Sequence, residues 1–443
     1  MPTQTISTYV AAGYTLSASY DTLTITATGG IGGYGLYAAN PATVVNAGTI
    51  NTSGPVSSRA YGIYLFAGGT ITNTGQILEM SNSGNLTAAI YISGGLGVVD
   101  NSSVVHGLVH GVKLLSGSVT NRAGGTIQGG EVGIDVYNGA GTIENAGVII
   151  GTAYHAVYMS AGGSITNSAG GMMEGAYGVH ATASYAATLI NAGTILGTVH
   201  GAVYLGSGEA TNSAGGLIQG VDYGVSSKDA SITNAGAISA TGASGVGVTL
   251  TAGGSVTNNG GGLIGGDIGV LADAKATVVN AGSIVGTAGE AVRLAAGGAL
   301  VNNAGGVMQG GAYGVVLKGA ATKLTNRSGG VIRGRTAVQA TDAAATIANA
   351  GQIIGSSRGA VYFNSGGTFA NQDGGLVRGV LYGVFAAGSA AAITNAGSIV
   401  GTGATSSGIT LDGGGGVTNS AGGLIQGAWG IRTNSSVAST VVN

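Results

Sequence analysis

Chemistry on a glycosidic bond needs two carboxylates flanking that bond, so acidic residues in register are the first feature to seek. The best column is Glu131, Asp222 and Asp267, each standing two residues before a glycine in equivalent segments. If those segments stack ~4.8 Å apart, Asp222 and Asp267, two turns from each other, lie ~9.6 Å apart. That is the outer limit for an inverting pair. No third acidic group shares their register, and the ordinary reading is solvated corner carboxylates. His106 and His110 are four residues apart, and His155 and His200 occupy similar places in successive repeats. A metal there would want carboxylate or cysteine companions, and the reading is corner histidines. No Gly-x-x-x-x-Gly-Lys-Ser/Thr phosphate loop occurs. The sequence therefore assigns no catalytic residue, no cofactor-binding residue and no metal ligand, and the chain is expected not to be an enzyme.

The aromatic residues are more suggestive. Tyr177, Tyr223, Tyr313 and Tyr382 each precede a Gly-Val pair, and Trp429 fills the same slot in Ala428-Trp429-Gly430. Tyr158, Tyr204 and Tyr362 recur in the other half of the repeat. Such a stripe could stack on sugar rings or form a lateral contact. The alternative is that the rings cover glycine-rich corners while their hydroxyls stay wet. Lys318, Lys323, Arg327, Arg333, Arg335, Arg358 and Arg378 make the C-terminal half mildly basic, a pattern that serves solubility.

What must position these residues is a repeat. The clearest copy runs over residues 145–190, two similar halves in tandem, the first opening Asn-Ala-Gly and the second Asn-x-Ala-Gly-Gly. Self-similarity at a fixed period fixes the architecture before any other signal. From Asn121 onward the anchoring asparagine recurs every 21 to 24 residues. Within Asn258–Asn280 three short segments, 262–264, 269–271 and 277–279, are separated by glycine-containing corners. Three strands and three corners account for one triangular coil. The fold class expected is all-β, a right-handed parallel β-helix (β-solenoid) of about 19 coils, ~90 Å long by strand spacing.

Composition agrees. The 443 residues include 91 glycines, three prolines and no cysteine, with 44% hydrophobic and 7% charged residues. Collagen lacks its triplet period here, and disordered chains are poorer in hydrophobic residues. A net charge of −2 offers no basic stripe for nucleic acid. No apolar run is long enough for a membrane-spanning helix. The asparagine has a structural role: stacked in one column (Asn46, Asn145, Asn167, Asn191, Asn234, Asn258, Asn280, Asn395, Asn419 and Asn443 among them) its amides can form a ladder. The glycine that follows is expected to permit a corner at positive φ.

Segments such as Ile165-Thr166-Asn167-Ser168-Ala169-Gly170-Gly171 and Ile393-Thr394-Asn395-Ala396-Gly397-Ser398-Ile399 resemble the passenger repeats of autotransporter adhesins and filamentous-haemagglutinin-like proteins. The resemblance covers roughly residues 40–443. It implies the right-handed β-helix, and a cell-surface adhesin that binds glycans. The chain shows neither a signal peptide nor a translocator barrel, so a cytoplasmic location is expected if the printed start is native, and the cell surface otherwise.

The organisation expected is residues 1–40 as a first coil, cap or joint, then repeats over 41–443. Thr8–Leu16 looks like Val292–Leu300, the later part of a coil, and Val441-Val442-Asn443 looks like the earlier part. Head and tail then complete one coil between subunits. The function expected is a structural solenoid assembling head to tail into filaments. The alternatives are a glycan-binding adhesin passenger and, remotely, a β-helix glycan lyase or hydrolase.

Overall fold

The computed structural model describes residues 2–53, 61–81, 87–319, 322–434 and 436–443, with only the backbone of Ala183 and Ser184. Among the described residues every regular element is a strand, and the strands pair in parallel between one turn and the next. The chain divides into two compact units, Met1–Val221 and Asp222–Asn443. Each is a right-handed parallel β-solenoid with turns of about 23 residues.

A turn contributes one strand to each of three rows. In the second unit, Ala276–Asn280 lies in the first row, Ser283–Gly286 in the second and Glu290–Leu294 in the third. Their partners one turn on are Gly298–Asn302, Val307–Gly310 and Tyr313–Leu317. The alternation of a strand decides what lies inside. Val278, Ile284, Val292 and Leu294 are wholly buried, and the same positions in other turns are mostly Val, Ile, Leu, Met, Phe or Ala. Each such side chain contributes about 1.5–3 kcal/mol by leaving water.

The first row ends on the asparagine ladder. In the first unit Nδ2 of Asn46 donates to Oδ1 of Asn73 at 2.7 Å, Asn145 donates to Asn167 at 2.8 Å, and Asn167 to Asn191 at 2.8 Å. In the second unit Asn234, Asn258, Asn280 and their successors repeat the bond as far as Asn395, Asn419 and Asn443. From Asn121 to Asn419 each amide also donates to a glycine carbonyl of its own turn, where Asn101 instead reaches Ser103, and the place of that glycine explains the tandem repeat. Asn145 and Asn191 reach a glycine two residues ahead, whereas Asn167 reaches one four ahead. Short and wide corners thus alternate. The alternation is interrupted at Asn73 and Asn101, which both reach two residues ahead, and at Asn302 and Asn326, which both take the wide form.

The corner glycines do two different jobs, which corrects the single role expected of them. In the wide corner Gly170 sits at φ +83°, a conformation that glycine adopts at little cost. In the short corner Gly193 keeps negative φ, and a Cβ there would meet the carbonyl oxygen of Gly171 at 2.2 Å. The short corner nests on the wide corner of the turn before it, and only glycine leaves room.

The N-terminal register differs from expectation. Thr3–Ile6 pairs with Thr22–Ile25, which pairs with residues 43–46 in the first row. Tyr9–Val10 lies in the second row and Tyr14–Leu16 in the third. Residues 3–16 therefore supply all three rows, not the later part of a coil. Ile6 and Ile25 occupy the ladder position there. Because Ile25 offers no donor, Oδ1 of Asn46 is left buried without a partner.

Removing one rung should be felt on both sides. Asn280→Ala strands the amide of Asn258 and the carbonyl of Asn302, at about 1–3 kcal/mol for each orphaned group. Val278→Asp buries an unpaired charge and should cost several kcal/mol. Urea unfolding is expected to show lowered midpoints for both; a wild-type midpoint for Val278→Asp would contradict the register.

Candidate functional site

Among the described residues, the outward positions of the third row gather many of the aromatic side chains together with His110, His155 and His180. Two columns run along it, three residues apart in each strand. In the first unit one column holds Tyr37, Tyr64, Tyr91, Lys113, Asp135, Tyr158, His180 and Tyr204 in unbroken register. The other includes Tyr61, Ala88, His110, Val132, and then His155 beside Tyr177. Between the columns each strand carries a glycine or alanine. At Gly178 a Cβ would meet the Ala202 carbonyl at 2.5 Å, so the backbone of the next turn sets the small-residue limit.

Tyr177 lies among histidines. Its ring stacks on His200 with centroids 4.5 Å apart, and His155 lies 5.2 Å away on the other side. His155 and His180 meet edge to face at 5.0 Å. Burial and the neighbouring His180 lower the His155 imidazole to about 4, and burial lowers His180. Farther along, Tyr64 and Tyr91 stack at 4.9 Å. His106 is in the second row and His110 in the third, so that pair does not converge. His110 does have a carboxylate companion, contrary to the expectation from sequence: Asp135 Oδ2 is 3.8 Å from its Nδ1. Among the described residues no group of three or more His, Cys, Asp or Glu could hold a metal ion.

In the second unit Tyr223, Tyr313, Tyr382 and Trp429 share one register position, but not on adjacent turns. Val246 follows Tyr223, Thr336 follows Tyr313, and Ser407 separates Tyr382 from Trp429. Trp429 is half exposed, with the Arg432 guanidinium 5.7 Å from its ring. Tyr313 and Tyr382 instead meet in a groove. It encloses about 440 Å³ and is lined by Tyr313, Thr336, Gln339, Arg358, Tyr362, Leu381, Tyr382 and Phe385. A smaller hollow of about 110 Å³ adjoins it, adding Ala312 and Arg335. Phe385 packs 5.1 Å from Tyr382 and 5.4 Å from Tyr362. Gly359 makes this possible: a Cβ there would lie 1.8 Å from the Tyr382 ring. Burial, and after it the neighbouring Tyr362, raise the Tyr382 hydroxyl to about 12, against the Arg358 charge, which lowers it. Neither Arg335 nor Arg358 pairs with a carboxylate among the described residues.

Asp222 and Asp267 precede Tyr223 and Ile268, with the Val246 turn between them, and Glu131 lies in the first unit. None of the three lines the groove. Sequence reasoning missed Phe385, Arg335 and Arg358 as groove residues and His180 as part of the histidine cluster. The register of the third row, once known, points to His180 and Phe385. Compared with known proteins, the chain matches no family profile and no curated protein.

The histidines predict a pH dependence. The folded-state pKa values of His110, His155 and His180 lie below the ordinary 6.5, so at these three positions the unfolded chain takes up protons first as pH falls. Stability should be flat above pH 6.5 and decline from there towards pH 4. His155→Gln should flatten part of that decline in thermal melts at successive pH values; an unchanged slope would contradict the burial of the neutral ring.

Proposed function

We propose that the chain is a non-enzymatic structural β-solenoid that stacks end to end with copies of itself. What supports the reading is the strand edge formed by Leu424–Gln426, Trp429–Thr433 and Ser439–Val442. Each of these strands pairs with a preceding turn on one side. Leu424, Trp429, Val441 and Val442 are exposed along it. A parallel edge of this kind is a template for another strand, and a head-to-tail contact that does not close by rotation yields a fibre. At the other edge Ile6 stands in the ladder column, so a joint made there rests on backbone pairing and apolar contact instead of a continued amide ladder. Negative-stain microscopy of the purified chain across a concentration series should show unbranched fibres that lengthen with concentration. Single particles at every concentration would overturn the self-assembly reading.

The groove in the second unit favours a second reading, a glycan-binding face of the adhesin type. Tyr313, Tyr362, Tyr382 and Phe385 offer flat apolar surface for a sugar ring, while Thr336, Gln339 and Arg358 offer hydrogen bonds. The free guanidinium groups of Arg335 and Arg358 favour a carboxylated sugar, whose two oxygens match the planar fork. Calorimetry with oligouronates and neutral oligosaccharides of equal length tests this. Uronates should bind more tightly, and Gly359→Ala, which displaces the Tyr382 ring, should weaken them at least tenfold with little change in melting temperature. Equal binding of neutral and acidic chains, or none by either, would overturn it.

A further inference from the structure

A buried polar cluster on the third row joins His110, Lys113 and Asp135 across two successive turns. Lys113 and Asp135 are directly opposed on adjacent parallel strands. Lys113 Nζ lies 3.1 Å from Asp135 Oδ2, and the two side chains are only 18% and 9% exposed. His110 borders both: its Nε2 is 3.4 Å from Lys113 Nζ, and its Nδ1 is 3.8 Å from Asp135 Oδ2. Aromatic rings shield the group from water. Lys113 Nζ lies 5.3 Å from the centroid of the Tyr137 ring, and the Tyr137 hydroxyl contacts that of Tyr91 at 3.2 Å. Two polar atoms are unspent: Asp135 Oδ1 and His110 Nδ1 are buried with no hydrogen-bond partner.

A solvated ion pair on a sheet face contributes little. A buried pair pays heavily for desolvation unless its remaining lone pairs are satisfied, and here they are not. An amine and a carboxylic acid held within van der Waals distance, out of water, are the reactants of an amide bond. Holding them so converts a bimolecular condensation into an intramolecular one.

We propose that Lys113 and Asp135 become joined by an intramolecular isopeptide bond, which the folded chain forms by itself with His110 relaying the proton. The Lys113 ammonium gives one proton to Nε2 of His110, and His110 gives the proton on its Nδ1 to Oδ2 of Asp135. Burial, and after it the Lys113 charge, keep the His110 imidazole neutral, so it passes a proton on without holding one. The neutral amine then attacks Cγ of the neutral carboxyl group. One C–N bond forms and one C–O bond breaks. The departing hydroxyl takes a second hydrogen from nitrogen and leaves as water. One positive and one negative charge vanish together, and no oxidant, cofactor or metal is required. The product is an amide staple between two successive turns of the first unit. It removes the desolvation cost of the pair and resists unfolding of those turns.

The wild-type chain decides the question by mass spectrometry. Purified, denatured protein should weigh one water less than its sequence. Trypsin should fail to cut after Lys113, leaving residues 60–122 joined to residues 123–228 in one branched species. Lys113→Met and Asp135→Ala should each restore the full mass and the separate peptides. His110→Ala should slow the loss of water in a time course after refolding. A full-mass wild-type chain that cuts normally after Lys113 would overturn the bond and leave an ordinary ion pair. Water loss in His110→Ala at the wild-type rate would overturn the relay.

Discussion

The structure depends on identical side-chain amides stacked at the repeat distance of the strands. A buried asparagine has two donors and an acceptor to satisfy, and leaving any unmade costs more than making it gains. Within the ladder each residue solves this with its equivalents one turn away and with carbonyls at the corner, Asn46 at its start excepted. Asn280, for example, receives from Asn258, donates to Asn302, and also donates to the carbonyls of Gly282 and Val307. A turn that shifted by one residue would break several of these bonds and turn the aliphatic interior outward. The ladder therefore fixes register, and register fixes everything placed on the outer faces.

That constraint explains why reactive side chains collect on one surface. The first row is committed to the ladder, and its corner is committed to glycines that pack against the preceding turn. The third row keeps two outward positions per turn. Their variation makes the surface local in character: tyrosines and histidines in one stretch, a buried Lys–Asp pair in another, and a Tyr–Arg groove in the second unit. Smallness at the position between the columns is equally constrained, because Gly178 and its equivalents face the carbonyl of the next turn. The chain thus separates an invariant scaffold from a surface free to change.

How much of this was legible in the sequence follows from the same logic. The strand rows and the ladder could be read because the physics demands the same residue at every turn. Asn46 to Asn443 mark the first row without help from coordinates. Where the demand lapses, so does the reading: Ile6 and Ile25 hold ladder positions with no amide, and the first turns were consequently set in the wrong row. The two corner types were visible as Asn-Ala-Gly and Asn-x-Ala-Gly-Gly, yet the pattern could not say that one glycine is chosen for φ and the other for space. Tyr223, Tyr313, Tyr382 and Trp429 share one register position in the second unit, the slot their common sequence context marked. Their neighbours in space come from a different slot and from corner residues of other turns. Phe385, Arg358 and Asp135 carried no repeated signal, because each occurs once.

The most direct measurement of the central claim is hydrogen exchange at the asparagine side chains, read by NMR after selective ¹⁵N-asparagine labelling. If the amides form a buried ladder, the Nδ2 protons of Asn145, Asn167, Asn258 and Asn280 should exchange as slowly as the strand backbone beside them. Exchange of those carboxamides at the rate of exposed asparagine would contradict the account.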